Sequence, residues 1–194
     1  MPRRLETFEP GYYYHLYNRG VNRGPIYFND KNFQFFLFNI ERYLLPVMEL
    51  MAYCLMPTHY HMLIRIRDTS EVGDTSEVDD TSEVPTAMMK LSVSYTKAIN
   101  SAFNRVGPLF QGAYQSKVVD SDAYLWQLID YIHMNPVQSE LVSYPEHWIY
   151  SSYYAYREFW PDDPEKFDPN MHLRGLSDLG GLPYLGYNRF IRNM

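Results

Sequence analysis

Residues 59–67, HYHMLIRIR, alternate in character with a period of two. Successive side chains of a β-strand point to opposite faces. His59, His61, Leu63, Arg65 and Arg67 therefore share one face, and Tyr60, Met62, Ile64 and Ile66 share the other. The second set is apolar apart from one phenol, so it belongs against a core. This strand must lie in a sheet with an apolar layer on one side and two imidazoles side by side on the other. Paired imidazoles at i and i+2 can converge on one cation and leave coordination positions open. They can equally be chance decoration of a surface, and the spacing alone leaves both readings standing.

The neighbouring segments supply the rest of a sheet. Residues 12–20, YYYHLYNRG, alternate and predict a first strand. Phe33, Leu37, Ile40 and Leu44 fall at helical spacing within 30–44, with Asp30 as the expected N-cap and Pro46 as the stop. Residues 47–56 predict a second strand, separated from the histidine strand by Pro57 and Thr58. Residues 86–105 read as a helix with Met88, Tyr95, Ile99 and Phe103 along one stripe. Residues 114–120 read as a fourth strand, and 121–136 as a helix capped by Ser121 and ended by Pro136. The order β-α-β-β-α-β implies an α+β fold, a ferredoxin-like antiparallel sheet with helices on one face. The last helix is then free to return across the open, histidine-bearing face.

Two features bear on partners. The net charge is −6, which at first argues against nucleic acid. Yet DTSEVG, DTSEVD and DTSEVP follow one another over residues 68–85, an acidic insertion holding seven acids and no Lys or Arg. Without it, 17 basic residues face 16 acidic ones (23 less those seven), so phosphate binding would rest on local clusters. The repeat reads as a solvated loop, since its spacing matches no known coordination loop. The single cysteine, Cys54, permits no internal disulfide, sits in an apolar run as an inert thiol, and fits a cytoplasmic setting. No segment is apolar and long enough to span a bilayer, and the N-terminus lacks the apolar stretch of a signal peptide. Residues 158–194, rich in Pro, Asp, Gly and Asn, read as an irregular tail beyond a domain covering 1–157.

On the 121–136 helix, Tyr131 and Asn135 are one turn apart and share a face with Tyr124 and Leu128. Each has an ordinary explanation, a core aromatic and a residue before proline. Trp148 and Tyr150, in HWIYSSYYAY, read either as packing against the sheet or as stacking surfaces for unpaired bases, with packing preferred.

Taken together, MPTHYHMLI, GPLFQGAYQSKVVDSDAYLWQLIDYIHMNPVQSELV, HWIYSSY and the opening YHLYNRGVNRGPIYFND resemble the REP-associated tyrosine transposases. These are single-tyrosine members of the HUH transposases, and the resemblance runs in one order over roughly residues 11 to 157. It implies that His59 and His61 hold a divalent metal, Mg²⁺ or Mn²⁺, with Asn135 as third ligand and Tyr131 as nucleophile. His133 is the runner-up ligand, expected instead at the surface. The implied activity is cleavage and rejoining of single-stranded DNA near hairpins through a 5′-phosphotyrosine, by a monomer or homodimer. The alternative is a hairpin-binding protein without catalysis. Ala113, Gln115 and Gln138 stand where the family commonly has basic residues. Arg19, Arg23, Arg65, Arg67 and Lys117 remain as the DNA contacts expected near the site, so weaker binding with a shallower salt dependence follows.

Overall fold

The computed structural model describes residues 7–67, 83–153 and 156. Most of the acidic repeat and the whole of the 158–194 tail lie outside the described residues. Four strands, β1 (Tyr13–Arg19), β2 (Met48–Met56), β3 (His59–Ile66) and β4 (Gln115–Val119), form one sheet in the order β2-β3-β1-β4. Every neighbouring pair is antiparallel, and β3 is central as its two-sided pattern requires. The helices are α1 (Asp30–Tyr43), α2 (Glu83–Ala102) and α3 (Asp122–Gln138).

The alternation of β3 sorts the molecule into layers. Tyr60, Met62, Ile64 and Ile66 join Phe36, Leu37 and Ile40 of α1 and Met88, Leu91, Tyr95 and Ile99 of α2 in one core. Leu63, on the opposite face, joins Leu128, Ile129 and Ile132 of α3 in a second, smaller core. The sheet is thus covered on both sides, α1 and α2 on one and α3 on the other.

Local chemistry explains the helix ends, with some departures from the sequence reading. Asn29, not Asp30, caps α1: its side chain accepts from the Asn32 N–H, and Asp30 becomes the acid of the first turn. Glu83, Val84 and Pro85, assigned by sequence to the acidic insertion, are the first turn of α2. Proline is tolerated there because that N–H has no helical acceptor. Phe103 lies just past α2 and is 37% exposed, stacked on Phe28 rather than buried on the stripe. Ser121 caps α3 as expected. Pro136 does not end α3, because a proline removes only its own donor: the Ser139 N–H still bonds the Asn135 carbonyl.

β2 carries a bulge between Leu50 and Ala52. Met51 is the extra residue, so Met51 and Ala52 both belong to the α3-side core. The chain after α3 then runs along the outer edge of β2. Leu55 N–H bonds Tyr150 O, Ser152 N–H bonds Tyr53 O, and the Tyr156 hydroxyl donates to Met51 O at 2.6 Å. Tyr150 stacks on Phe33 with centroids 3.9 Å apart, and Trp148 Nε1–H donates to Leu55 O. Both aromatics are therefore packing residues.

This strap also corrects His133. It is 4% exposed, not at the surface, because the strap covers its side of α3: Nε2 lies 2.8 Å from Ser152 Oγ, and the rings of Tyr153 and Tyr156 flank it. Burial lowers its pKa to about 3. An unfolded histidine protonates near 6.5, so this contribution to stability is complete above that pH and is lost as pH falls toward 3. Urea unfolding from pH 7 down to 4 should show stability declining, with a shallower decline in His133→Gln. An identical slope in that variant would remove His133 as a cause.

Candidate functional site

The turn at Pro57–Thr58 delivers His59 as the first residue of β3, and strand alternation returns His61 to the same face. In register, Arg19 lies opposite His59 and Tyr17 opposite His61 on β1. α3 crosses above, carrying Tyr131 and Asn135 one turn apart. The His59 and His61 rings meet edge to face with centroids 5.1 Å apart. Asn135 Oδ1 lies 3.2 Å from His59 Nε2, and the Tyr131 ring meets His61 edge to face at 5.3 Å. Tyr131 is 41% exposed, whereas Asn135 and His61 are buried. The four residues singled out from the sequence thus come together across the interface of β3 and α3.

A fifth residue had not been singled out. His15 of β1 is buried, and its Nε2 lies 2.9 Å from His61 Nδ1. The only sequence signal was its place on the alternating first strand, in phase with Tyr13, Tyr17 and Arg19. Tyr17 completes the group, its ring 4.8 Å from His15 and 5.9 Å from His61.

Burial sets the charge of this cluster. It lowers the pKa of His61 to about 3, with further lowering by the neighbouring His15 and His59. It lowers His15 to about 4, helped by the Lys117 ammonium. His59 is lowered too, the Asn135 hydrogen bond partly opposing burial. All three imidazoles are therefore neutral near pH 7, the form in which a ring nitrogen can bind a metal. Among the described residues no three His, Cys, Asp or Glu side chains gather to hold an ion. The donors that do gather are two imidazoles and one amide oxygen. Two donors 3.2 Å apart are spaced about as adjacent ligands of an ion with bonds near 2.1 Å. The set fits a divalent ion completed by oxygens from outside the chain.

The basic residues divide into two groups. Arg19 stands at the histidine end, its Nε–H donating to Gln111 Oε1 at 2.6 Å. Arg23 lies in the adjoining turn, which depends on Gly20: a Cβ there would fall 2.1 Å from Gly24 O. Lys117 pairs in register with His15, and its ammonium sits 4.3 Å from the centre of the Tyr124 ring. Arg65 and Arg67 are not near the histidines. β3 carries them to its far end, Arg65 roughly 13 Å along the strand from His61. There Arg65 pairs with Glu49 at 3.3 Å, and Arg67 Nη2 donates to Leu45 O.

No family model and no curated protein matches the chain. A solved structure of a REP-associated tyrosine transposase bound to a REP hairpin does match, with TM-score 0.61 and 16% identity, over 87% of this chain and 94% of that one. The chain has the fold of a REP-associated tyrosine transposase. A provisional transposase from Deinococcus radiodurans R1 is also similar, at TM-score 0.41 and 18% identity, over 68% of this chain and 95% of that one. At 16% identity the property shared with the hairpin-bound protein is the fold, and the roles of individual residues rest on the geometry above.

That geometry makes a direct statement about charge. In NMR titrations the His15 and His61 ring signals should stay in the neutral form from pH 8 to pH 5. A midpoint near 6.5 for either ring would contradict its burial.

Proposed function

We propose that this protein is a transposase-like single-strand DNA endonuclease and strand transferase acting near DNA hairpins, with Tyr131 as nucleophile. The observation that carries the reading is the meeting of an accessible phenol, on α3, with the imidazole pair of β3, His61 buried and His59 half-buried. The hairpin as partner is supported by the DNA-bound neighbour of the same fold.

His59, His61 and Asn135 would hold a divalent ion, Mg²⁺ or Mn²⁺, which when bound supplies positive charge to the scissile phosphate. The neutral nitrogen-rich donor set suits Mn²⁺ at least as well as Mg²⁺. The chain's own part is positional. Tyr131 stands at the exposed edge of the site, where its oxygen can reach a strand lying across α3. That oxygen attacks phosphorus, and the bond from phosphorus to the 3′-oxygen breaks. The phenol loses its proton and the departing 3′-oxygen gains one, so the proton count is unchanged. The 5′ end stays on Tyr131 as a phosphodiester, and no water is consumed. Because bond energy is kept, a 3′-hydroxyl can attack the same linkage and rejoin ends. Asn135 fixes the edge of His59 that faces the site, and α3 keeps that group a single turn from the nucleophile.

Arg19, Arg23 and Lys117 are the phosphate contacts expected at this end of the sheet. Arg65 and Arg67 would serve only a strand long enough to reach the far end of β3. The 1–157 domain is the catalytic unit on this reading, as a monomer or a homodimer. The second reading, a hairpin-binding protein without catalysis, is favoured by Ala113, Gln115 and Gln138 replacing basic residues only insofar as these weaken turnover along with binding.

The deciding experiment incubates protein, Mn²⁺ and a labelled hairpin oligonucleotide with a single-stranded flank. A denaturation-resistant adduct should form, vanish in Tyr131→Phe, and persist in Tyr17→Phe. Retention of the adduct in Tyr131→Phe refutes the assignment of the nucleophile. Binding with no adduct in any preparation supports the non-catalytic reading.

A further inference from the structure

We propose that His15 is a positioning residue: its Nε2 accepts the Nδ1–H of His61 and leaves His61 Nε2 with a free lone pair at the site. The inference rests on the reading of His61 as a ligand and adds the group that makes it one.

The two rings are 2.9 Å apart between His15 Nε2 and His61 Nδ1, with planes 28° apart and centroids 5.1 Å apart. That centroid separation is close to the hydrogen bond plus one ring radius on each side. The rings therefore meet edge to edge, with the bond near both ring planes, where the N–H and the lone pair lie. Both residues are buried, at 7% and 8% exposure, so water competes little for this bond.

A neutral imidazole carries one proton, and its position decides what the ring can do. If His15 donated, His61 would hold its proton on Nε2 and could not ligate through that atom. If His61 donates, its Nε2 is a bare donor atom for a cation. Histidines that bind metals donate their other N–H to a fixed acceptor, commonly a carboxylate or carbonyl. Here the acceptor is a second imidazole on the adjacent strand. Lys117, cross-strand from His15, lies over the Tyr124 ring, and no hydrogen bond joins it to His15. His59 has a counterpart in Thr58, whose Oγ1 lies 3.0 Å from His59 Nδ1 and can accept a proton there once the one that Nε2 gives to Asn135 Oδ1 is displaced by an ion. Each imidazole of the pair thus has a partner on Nδ1.

The test has two readouts on the full chain, neither of them activity. Long-range ¹H–¹⁵N NMR of the metal-free protein should show His61 protonated on Nδ1. Mn²⁺ binding, followed by the EPR signal of the free ion, should fall roughly 10- to 100-fold in His15→Leu. It should stay near wild type in His15→Gln, whose amide oxygen replaces the acceptor. A proton on Nε2 of His61 overturns the inference, and so does wild-type Mn²⁺ affinity in a folded His15→Leu protein. Should that variant not fold, the NMR assignment and the Gln substitution still decide. If wild type binds no Mn²⁺ but His61 carries its proton on Nδ1, the His15 arrangement stands and the metal reading of the site falls.

Discussion

One strand has to satisfy two layers at once. The even-numbered residues of β3 from Tyr60 to Ile66 fill the core under α1 and α2. With that face committed, strand geometry forces His59, His61 and Leu63 toward α3. A slip of one residue would exchange the faces, sending imidazoles into the aromatic core and Tyr60 and Met62 under α3. The position of the histidines is therefore held by the burial of their neighbours. Each of those apolar side chains is worth roughly 1.5–3 kcal/mol on burial, against roughly 0.5–1.5 kcal/mol net for a neutral hydrogen bond within the site, and there are four of them.

The same sandwich explains why the imidazoles are uncharged. α3 covers His61, His15 is buried beside it, and a charged ring at either place would lack solvation and a counter-ion. The Arg65–Glu49 ion pair lies at the other end of β3. Among the described residues no carboxylate joins His59, His61 and Asn135, so a cation bound there would keep its full charge against them. Such a site is matched to an anionic ligand, and a DNA phosphate is one.

The sequence disclosed the elements whose patterns are local. Alternation in 59–67 and helical spacing at Phe33, Leu37 and Ile40 reappear as a two-faced central strand and a buried helix stripe. Element order left α3 free to cross the histidine face, and the chain uses that freedom. What escaped depends on contacts distant in sequence. His15 looked like one polar residue among tyrosines because its partner, His61, lies 46 positions away. His133 was expected at the surface because nothing local shows that the chain near Ser152 returns to cover it. Arg65 and Arg67 share a face with the histidines, but a face is not a neighbourhood on a strand eight residues long. The bulge at Met51 breaks the period by one residue between Leu50 and Ala52, where no polar side chain stands to mark the change of phase.

That bulge has a consequence for how copies of the chain can meet. A residue expelled from the ladder leaves its carbonyl without a strand partner, and at Met51 the Tyr156 hydroxyl takes it. With Tyr150 and Ser152 bonded alongside, the outer border of β2 has no open run of donors and acceptors for a foreign strand to zip onto. Among the described residues, β4 is left as the sheet's open margin, and it is short, five residues, and carries a lysine. Protection against runaway sheet extension is thus divided between a latch on one flank and brevity with charge on the other.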